Sequence, residues 1–124
     1  MLNHIALQIN DERDVKAFYE DVLGFETSHS FQLDGELSTR IFGIKAPAQV
    51  TVITNENLTI ELFQSDVIIP FRGFTHTCIN VSSIGNVVEK CRGKGYEVIE
   101  IERSHKMLYF VKDASENMFE LKAS

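Results

Sequence analysis

A chain of 124 residues with 44% apolar side chains has enough material for one compact core. Its formal charge of −6 and pI near 5.1 argue against nucleic acid and anionic membrane surfaces as main partners. No apolar run approaches membrane-spanning length, no basic stretch leads into an apolar one at the start, and Cys78 and Cys91 are too few for a disulfide framework, so a reduced, cytoplasmic setting is expected.

Leu2 to Ile9 alternates as a strand, and Asn10 or Asp11 can cap a helix over residues 11–23 with Val15, Phe18, Tyr19 and Val22 on one stripe. Gly24 can end that helix in a left-handed turn. Strands are expected at Phe25–Gln32, Gln49–Thr54 and Asn57–Phe63. Between the first two, Leu37, Ile41 and Ile44 fall at helical spacing and Pro47 follows, so residues 34–45 read as an inserted short helix or lid. The pattern then repeats. Phe74–Val81 alternates, Ser82 or Ser83 can cap, and Ile84, Val87, Val88 and Cys91 form the stripe of a helix over 83–94, before Gly93 and Gly95. Strands are expected at Glu97–Glu102, Met107–Lys112 and Asn117–Lys122.

The two halves share a register. His4 and His76 lie 72 residues apart, Gly24-Phe-Glu26 and Gly95-Tyr-Glu97 71 apart, and Glu61 and Glu120 59 apart. The first half is therefore 12 residues longer after its helix, about the length of the 34–45 insertion. A period this long suits a duplicated module within one domain rather than a solenoid. Module one is expected over about 1–70 and module two over about 71–124.

His4, Glu61, His76 and Glu120 recur at matched places: a histidine opens the first strand of each half, a glutamate sits in the last. Ile5, Leu7 and Ile9 share one strand face, leaving His4, Ala6 and Gln8 on the other. Glu61 sits between Ile60 and Leu62, and Glu120 between Phe119 and Leu121. Any one of the four taken alone is more simply a polar residue on the wet side of an antiparallel sheet. Together, two imidazoles and two carboxylates of one parity form a donor set for a single divalent ion, with nickel or zinc favoured and cobalt, manganese and iron also suited. Cys78 shares the parity of His76, and Cys91 reads as a core thiol.

These features resemble the glyoxalase I / bleomycin-resistance / extradiol-dioxygenase (vicinal oxygen chelate) superfamily. The resemblance is carried by His4-Ile-Ala-Leu, Phe18-Tyr-Glu-Asp-Val-Leu-Gly24-Phe, Thr59-Ile-Glu61-Leu, His76, and Phe110-Val-Lys-Asp113 leading to Phe119-Glu120-Leu. It implies an α+β fold of two βαβββ modules, whose curved mixed sheets form a metal-containing cup, often in a homodimer. Four ligands resemble the glyoxalase I pattern, with methylmalonyl-CoA epimerase close by. Extradiol dioxygenases and fosfomycin-modifying enzymes resemble a two-histidine, one-carboxylate scheme, and antibiotic-binding members lack the ligands. The resemblance thus implies a lyase or isomerase that removes a proton beside a carbonyl through a metal-bound enediolate, with Glu120 as the base and Glu61 as the alternative. The other readings are an epimerase-like isomerase and a non-catalytic small-molecule binder. Gln8 stands where bacterial glyoxalase I usually has an arginine for a glutathione carboxylate, and Asp113-Ala-Ser-Glu-Asn117 departs from the usual Asp-Pro-x-Gly turn. Arg40, Arg72 and Lys106 are the candidates for replacement charge, while His29 and His105 have no counterpart in the other half and fall outside the expected site.

Overall fold

Alternating apolar residues in both halves pair into two sheets with the same wiring. The computed structural model describes residues 1–56, 58–68 and 72–124. In the first half, β1 (Ile5–Ile9), a π-helix (Val15–Glu20), β2 (Glu26–Leu33), α1 (Gly35–Phe42), β3 (Ala48–Asn55) and β4 (Leu58–Gln64) follow in order. The second half has β5 (Thr77–Val81), α2 (Ile84–Lys94), β6 (Val98–Arg103), β7 (Lys106–Lys112) and β8 (Met118–Ala123). The sheets run β1-β4-β3-β2 and β5-β8-β7-β6, so first and last strands are neighbours in each. These pairs, each at one edge of its sheet, are parallel and the others antiparallel, making both sheets mixed. Two βαβββ modules are present, with an extra helix in the first.

Local signals account for most element ends. Ser83 Oγ accepts from the backbone N–H of Asn86 and caps α2, and Gly95 ends it with φ at +82°. Gly24, its counterpart, has φ +79°, a backbone state that side chains resist. The insertion is helical: Asp34 accepts from the Leu37 N–H, and Gly43 closes α1 in the left-handed region.

The helix expected over 11–23 is shorter and wound differently. Asp21 N–H and Leu23 N–H reach the carbonyls of Lys16 and Phe18, five residues back, which makes a π-turn. The wider turn lets Phe18 and Tyr19, adjacent in sequence, both be fully buried. Asp11, one of the two expected caps, accepts from the Arg13 N–H. Strands β1 and β5 begin three residues later than alternation alone suggested, because their parallel ladders begin at the Ile5–Ile60 and Thr77–Phe119 pairs. Asn57, expected to open β4, lies outside the described residues.

One core serves both modules. Ile9, Ile53, Ile60 and Leu62 of the first sheet join Ile79, Val111, Phe119 and Leu121 of the second. Between them Phe18 and Tyr19 meet Phe119 edge-on, with ring centroids 5.8 Å apart in each pair. Cys91 is wholly buried there, and burial pushes its thiol up to about 11. Two reciprocal bonds tie the halves together: Tyr19 OH donates to Asp113 Oδ2 at 2.6 Å, and Tyr96 OH to Asp14 Oδ1 at 2.6 Å. Asp113 also accepts from the N–H groups of Ser115 and Asn117, which shapes the turn that departs from the family pattern. No helix among the described residues is long and apolar enough to cross a membrane.

Candidate metal centre

Parallel pairing of the first and last strands in each module brings each histidine beside its glutamate. Glu61 is in register with Ala6, two residues beyond His4; Glu120 is in register with Cys78, two beyond His76. Both histidines immediately precede their strands, so the imidazoles lean over the sheet edge toward the carboxylates. His4 Nε2 lies 3.2 Å from Glu61 Oε1, and His76 Nε2 lies 3.8 Å from Glu120 Oε2. Both pairs are about equally open, the histidine side chains at 42% exposure and the glutamates at 21% and 19%.

Hydrogen bonding sets which ring nitrogen can bind an ion. His76 Nδ1 is 2.8 Å from the Phe74 carbonyl, which can only accept, so Nδ1 carries the proton. Nε2, the other ring nitrogen, then faces the Glu120 carboxylate. His4 repeats this through Nδ1 and Asn3 Oδ1 at 2.9 Å. A lone pair facing a carboxylate oxygen is stable only with a cation between or beside them: a proton on Nε2, or a metal ion. An imidazole whose far N–H is held by an oxygen is the usual metal-ligating arrangement, and this donor set fits zinc, nickel or another borderline divalent ion.

The four candidates come together as two pairs, not as one cluster. Among the described residues no group of three or more histidine, cysteine, aspartate or glutamate side chains is placed to hold one ion. The core explains this. It is built from the helix-side residues of both sheets, whereas the His/Glu pairs lie on the opposite faces.

Cross-strand register shows what else shares those faces. In module one Ala6, Glu61, Val52 and His29 form one row across the sheet; in module two the equivalent row is Cys78, Glu120, Phe110 and Ile99. His29 thus belongs to the candidate site's face, which sequence reasoning missed. It has no counterpart in the repeat because Ile99 occupies its place, and only strand register could reveal it. Cys78 is exposed beside Glu120; burial first, then the Glu120 charge and hydrogen bond, push its thiol up and keep it a neutral donor. Lys122 Nζ, 3.5 Å from Glu120 Oε1, is a further cation at the second pair.

The other charges considered lie elsewhere. Arg72 donates to the carbonyls of Gln8 and Ser115 and joins the two modules. Arg40 is exposed on α1, and Lys106 and His105 are exposed at the β6–β7 turn. Gln8 Nε2 donates to the Val67 carbonyl at 2.6 Å, so its amide is committed to a loop.

The insertion roofs the first pair's face. Phe42 at the end of α1 meets Phe63 edge-on at 5.6 Å, and Ser38 is buried beneath the helix. A cavity of about 160 Å³ remains between α1 and the sheet, lined by Ala6, Gln8, Phe42, Ile44, Ala46 and Phe63 among others. A wider groove of about 690 Å³ runs between the π-helix end and β5, but of the two rows it touches only Cys78. The smaller cavity borders the first row at Ala6, the register partner of Glu61.

Duplicated βαβββ modules with mixed four-stranded sheets define a fold class, and a histidine and a glutamate stand at matched positions in both. The chain belongs to the glyoxalase/bleomycin resistance protein/dioxygenase superfamily, whose family model matches residues 1–121. Solved structures share the fold. The fosfomycin resistance protein FosX from Listeria monocytogenes superposes with a TM-score of 0.74 at 19% identity, covering 100% of this chain and 93% of that one. A variant of that FosX complexed with Mn(II) and 1S,2S-dihydroxypropylphosphonic acid gives 0.76 at 21% identity, covering 100% and 92%. A glyoxalase family protein from Enterococcus faecalis gives 0.71 at 18% identity, covering 98% and 95%. No curated protein sequence matches the chain.

Proposed function

We propose that this protein is a metal-dependent lyase or isomerase of glyoxalase I type, working as a homodimer in which each centre combines His4 and Glu61 of one subunit with a His76/Glu120 pair from the other. The observation that carries the reading is the pair of equivalent half-sites, with the same register and the same imidazole orientation. Each half-site alone supplies two donors, too few for a tight ion, and a two-fold dimer supplies the missing pair at both centres. Glu61 matters most for the choice of chemistry, because a second carboxylate distinguishes this set from the two-histidine, one-carboxylate scheme.

When bound, a divalent ion would polarise the substrate oxygens and stabilise the negative charge left by proton removal. The remaining work falls to this chain's own groups. His4 and His76 hold their Nε2 atoms toward the site through the Nδ1 contacts described above. Glu120 takes the proton from the carbon beside the carbonyl and returns it to the neighbouring carbon. The choice of Glu120 over Glu61 follows the family resemblance; Lys122 Nζ, 3.5 Å from Oε1, is a second partner for that carboxylate. Among the described residues Glu61 pairs with His4 and with no ammonium.

FosX of Listeria monocytogenes, complexed with Mn(II) and a phosphonate diol, suggests a second reading: modification of a small phosphonate. Lys122 is the feature that favours it, as a cation on the metal-facing side of β8. Metal analysis of protein purified without a histidine tag, followed by assays of apo and metal-loaded protein on hemithioacetals and on fosfomycin, tests both. Metal-dependent turnover of hemithioacetals is expected. Turnover of fosfomycin alone would transfer the assignment to the second reading, and protein that retains no divalent metal would refute both.

A further inference from the structure

We infer that the substrate carries an uncharged aryl or branched-alkyl group, seated in the cavity beneath α1; this rests on reading His4 and Glu61 as ligands. The cavity borders the half-site at Ala6. Ala6 is in register with Glu61, and Gln8 is in register with Phe63 on the same face, two residues farther along. Two residues of strand span about 6.6 Å, so a group entering the cavity belongs to the same small molecule as the atoms at the His4/Glu61 end.

Three observations set the chemistry of that group. Among the described residues no lysine, arginine, aspartate or glutamate lines the cavity, so a charged substituent would lose its hydration with nothing to replace it. Gln8, the most polar lining side chain, already spends its amide N–H on the Val67 carbonyl. The volume, about 160 Å³, is close to that of an engineered apolar cavity of about 150 Å³ that holds a benzene molecule. The roof is specific to module one, because α1 has no counterpart in module two. The Phe42–Phe63 edge contact holds it against the sheet, and the Asp34 cap keeps it helical. The insertion therefore acts as the specificity element, selecting a flat or branched apolar group next to the chelating oxygens and rejecting an anionic arm.

Hydroxamates test this without turnover, because acetohydroxamate, benzohydroxamate and 4-carboxybenzohydroxamate present the same chelating group. Their affinities for nickel-loaded protein, measured by calorimetry, are compared with those for free nickel ion to remove intrinsic differences. Wild-type protein should prefer benzohydroxamate over acetohydroxamate by about tenfold or more, the effect of burying one ring, and should bind the carboxylated analogue about tenfold more weakly than benzohydroxamate. Ala46→Leu, which fills the cavity, and Phe42→Ala, which removes its wall, should each abolish the preference while leaving acetohydroxamate affinity unchanged. Should one variant fail to fold, the other decides. If acetohydroxamate binds but the preference is absent, survives both substitutions, or extends equally to the carboxylated analogue, the inference is overturned and the metal reading stands. If no hydroxamate binds, or the protein holds no nickel, the metal reading itself fails.

Discussion

Mixing two inactive variants tests whether each centre is shared between subunits. His4→Ala removes one nitrogen donor from the first pair, and His76→Ala one from the second. Loss of a ligand should weaken metal binding by about a hundredfold or more, since even outer partners of ligands are worth up to that much. A homodimer of either variant then has two damaged centres. Co-expression at equal levels gives half the dimers one copy of each variant, and in these the two half-sites sort unequally. One centre collects both alanines, while the other receives an intact His4/Glu61 pair from one subunit and an intact His76/Glu120 pair from its partner. Tight metal binding should return to about a quarter of wild-type stoichiometry, read by equilibrium dialysis and elemental analysis. The paired contacts of 3.2 and 3.8 Å within one chain, with no group of three donors among the described residues placed to hold one ion, are the basis for this number. Mixed dimers that are demonstrably present and bind no metal would refute the shared centre. Tight binding by either variant alone would refute its histidine as a ligand.

Hydrogen–deuterium exchange into a turned-over substrate separates the carboxylate roles: Glu120→Gln should stop exchange while metal is retained, and exchange stopped only by Glu61→Gln would reverse the assignment. Tyr19→Phe should cost about 1.5 kcal/mol in urea unfolding, the low end for a bond to a charged acceptor, because Asn117 Nδ2 still donates to the same Asp113 oxygen at 2.8 Å; a change near zero would show that the Tyr19–Asp113 link does not hold the modules together. Desolvation, opposed by the bonds from Tyr96 and Ala114, raises the Asp14 carboxyl above its ordinary 3.8. The folded state therefore holds that proton more tightly, and the associated stability is present below pH 3.8 and lost as pH rises through the raised value. Asp14→Asn should flatten this part of the stability profile in urea melts taken across the acid range, and an identical slope in both proteins would refute the shift.

Much of this molecule follows from local pattern. Alternation around Ile5, Leu7 and Ile9 and around Ile60 and Leu62 defines which strand faces are apolar, and so puts His4, Glu61, His76 and Glu120 opposite the core. Asp34, Gly43, Ser83 and Gly95 mark their helix ends by chemistry that acts within a few residues. The 12-residue excess in the first half located the insertion that became α1. Other features have no local signature. The π-turn at Val15–Glu20 exists because the shared core takes both Phe18 and Tyr19. His29 joins the candidate face only through a strand register that a bulge between Thr27 and His29 adjusts. Above all, tertiary packing decided how the four candidate ligands are distributed. Periodicity fixes a side chain's face relative to its own strand, but not which face of one sheet meets which face of another. Here the helix-side faces meet, because burying Phe18, Tyr19 and Phe119 together removes large apolar surfaces from water, and the His/Glu pairs are left on opposite faces of the chain.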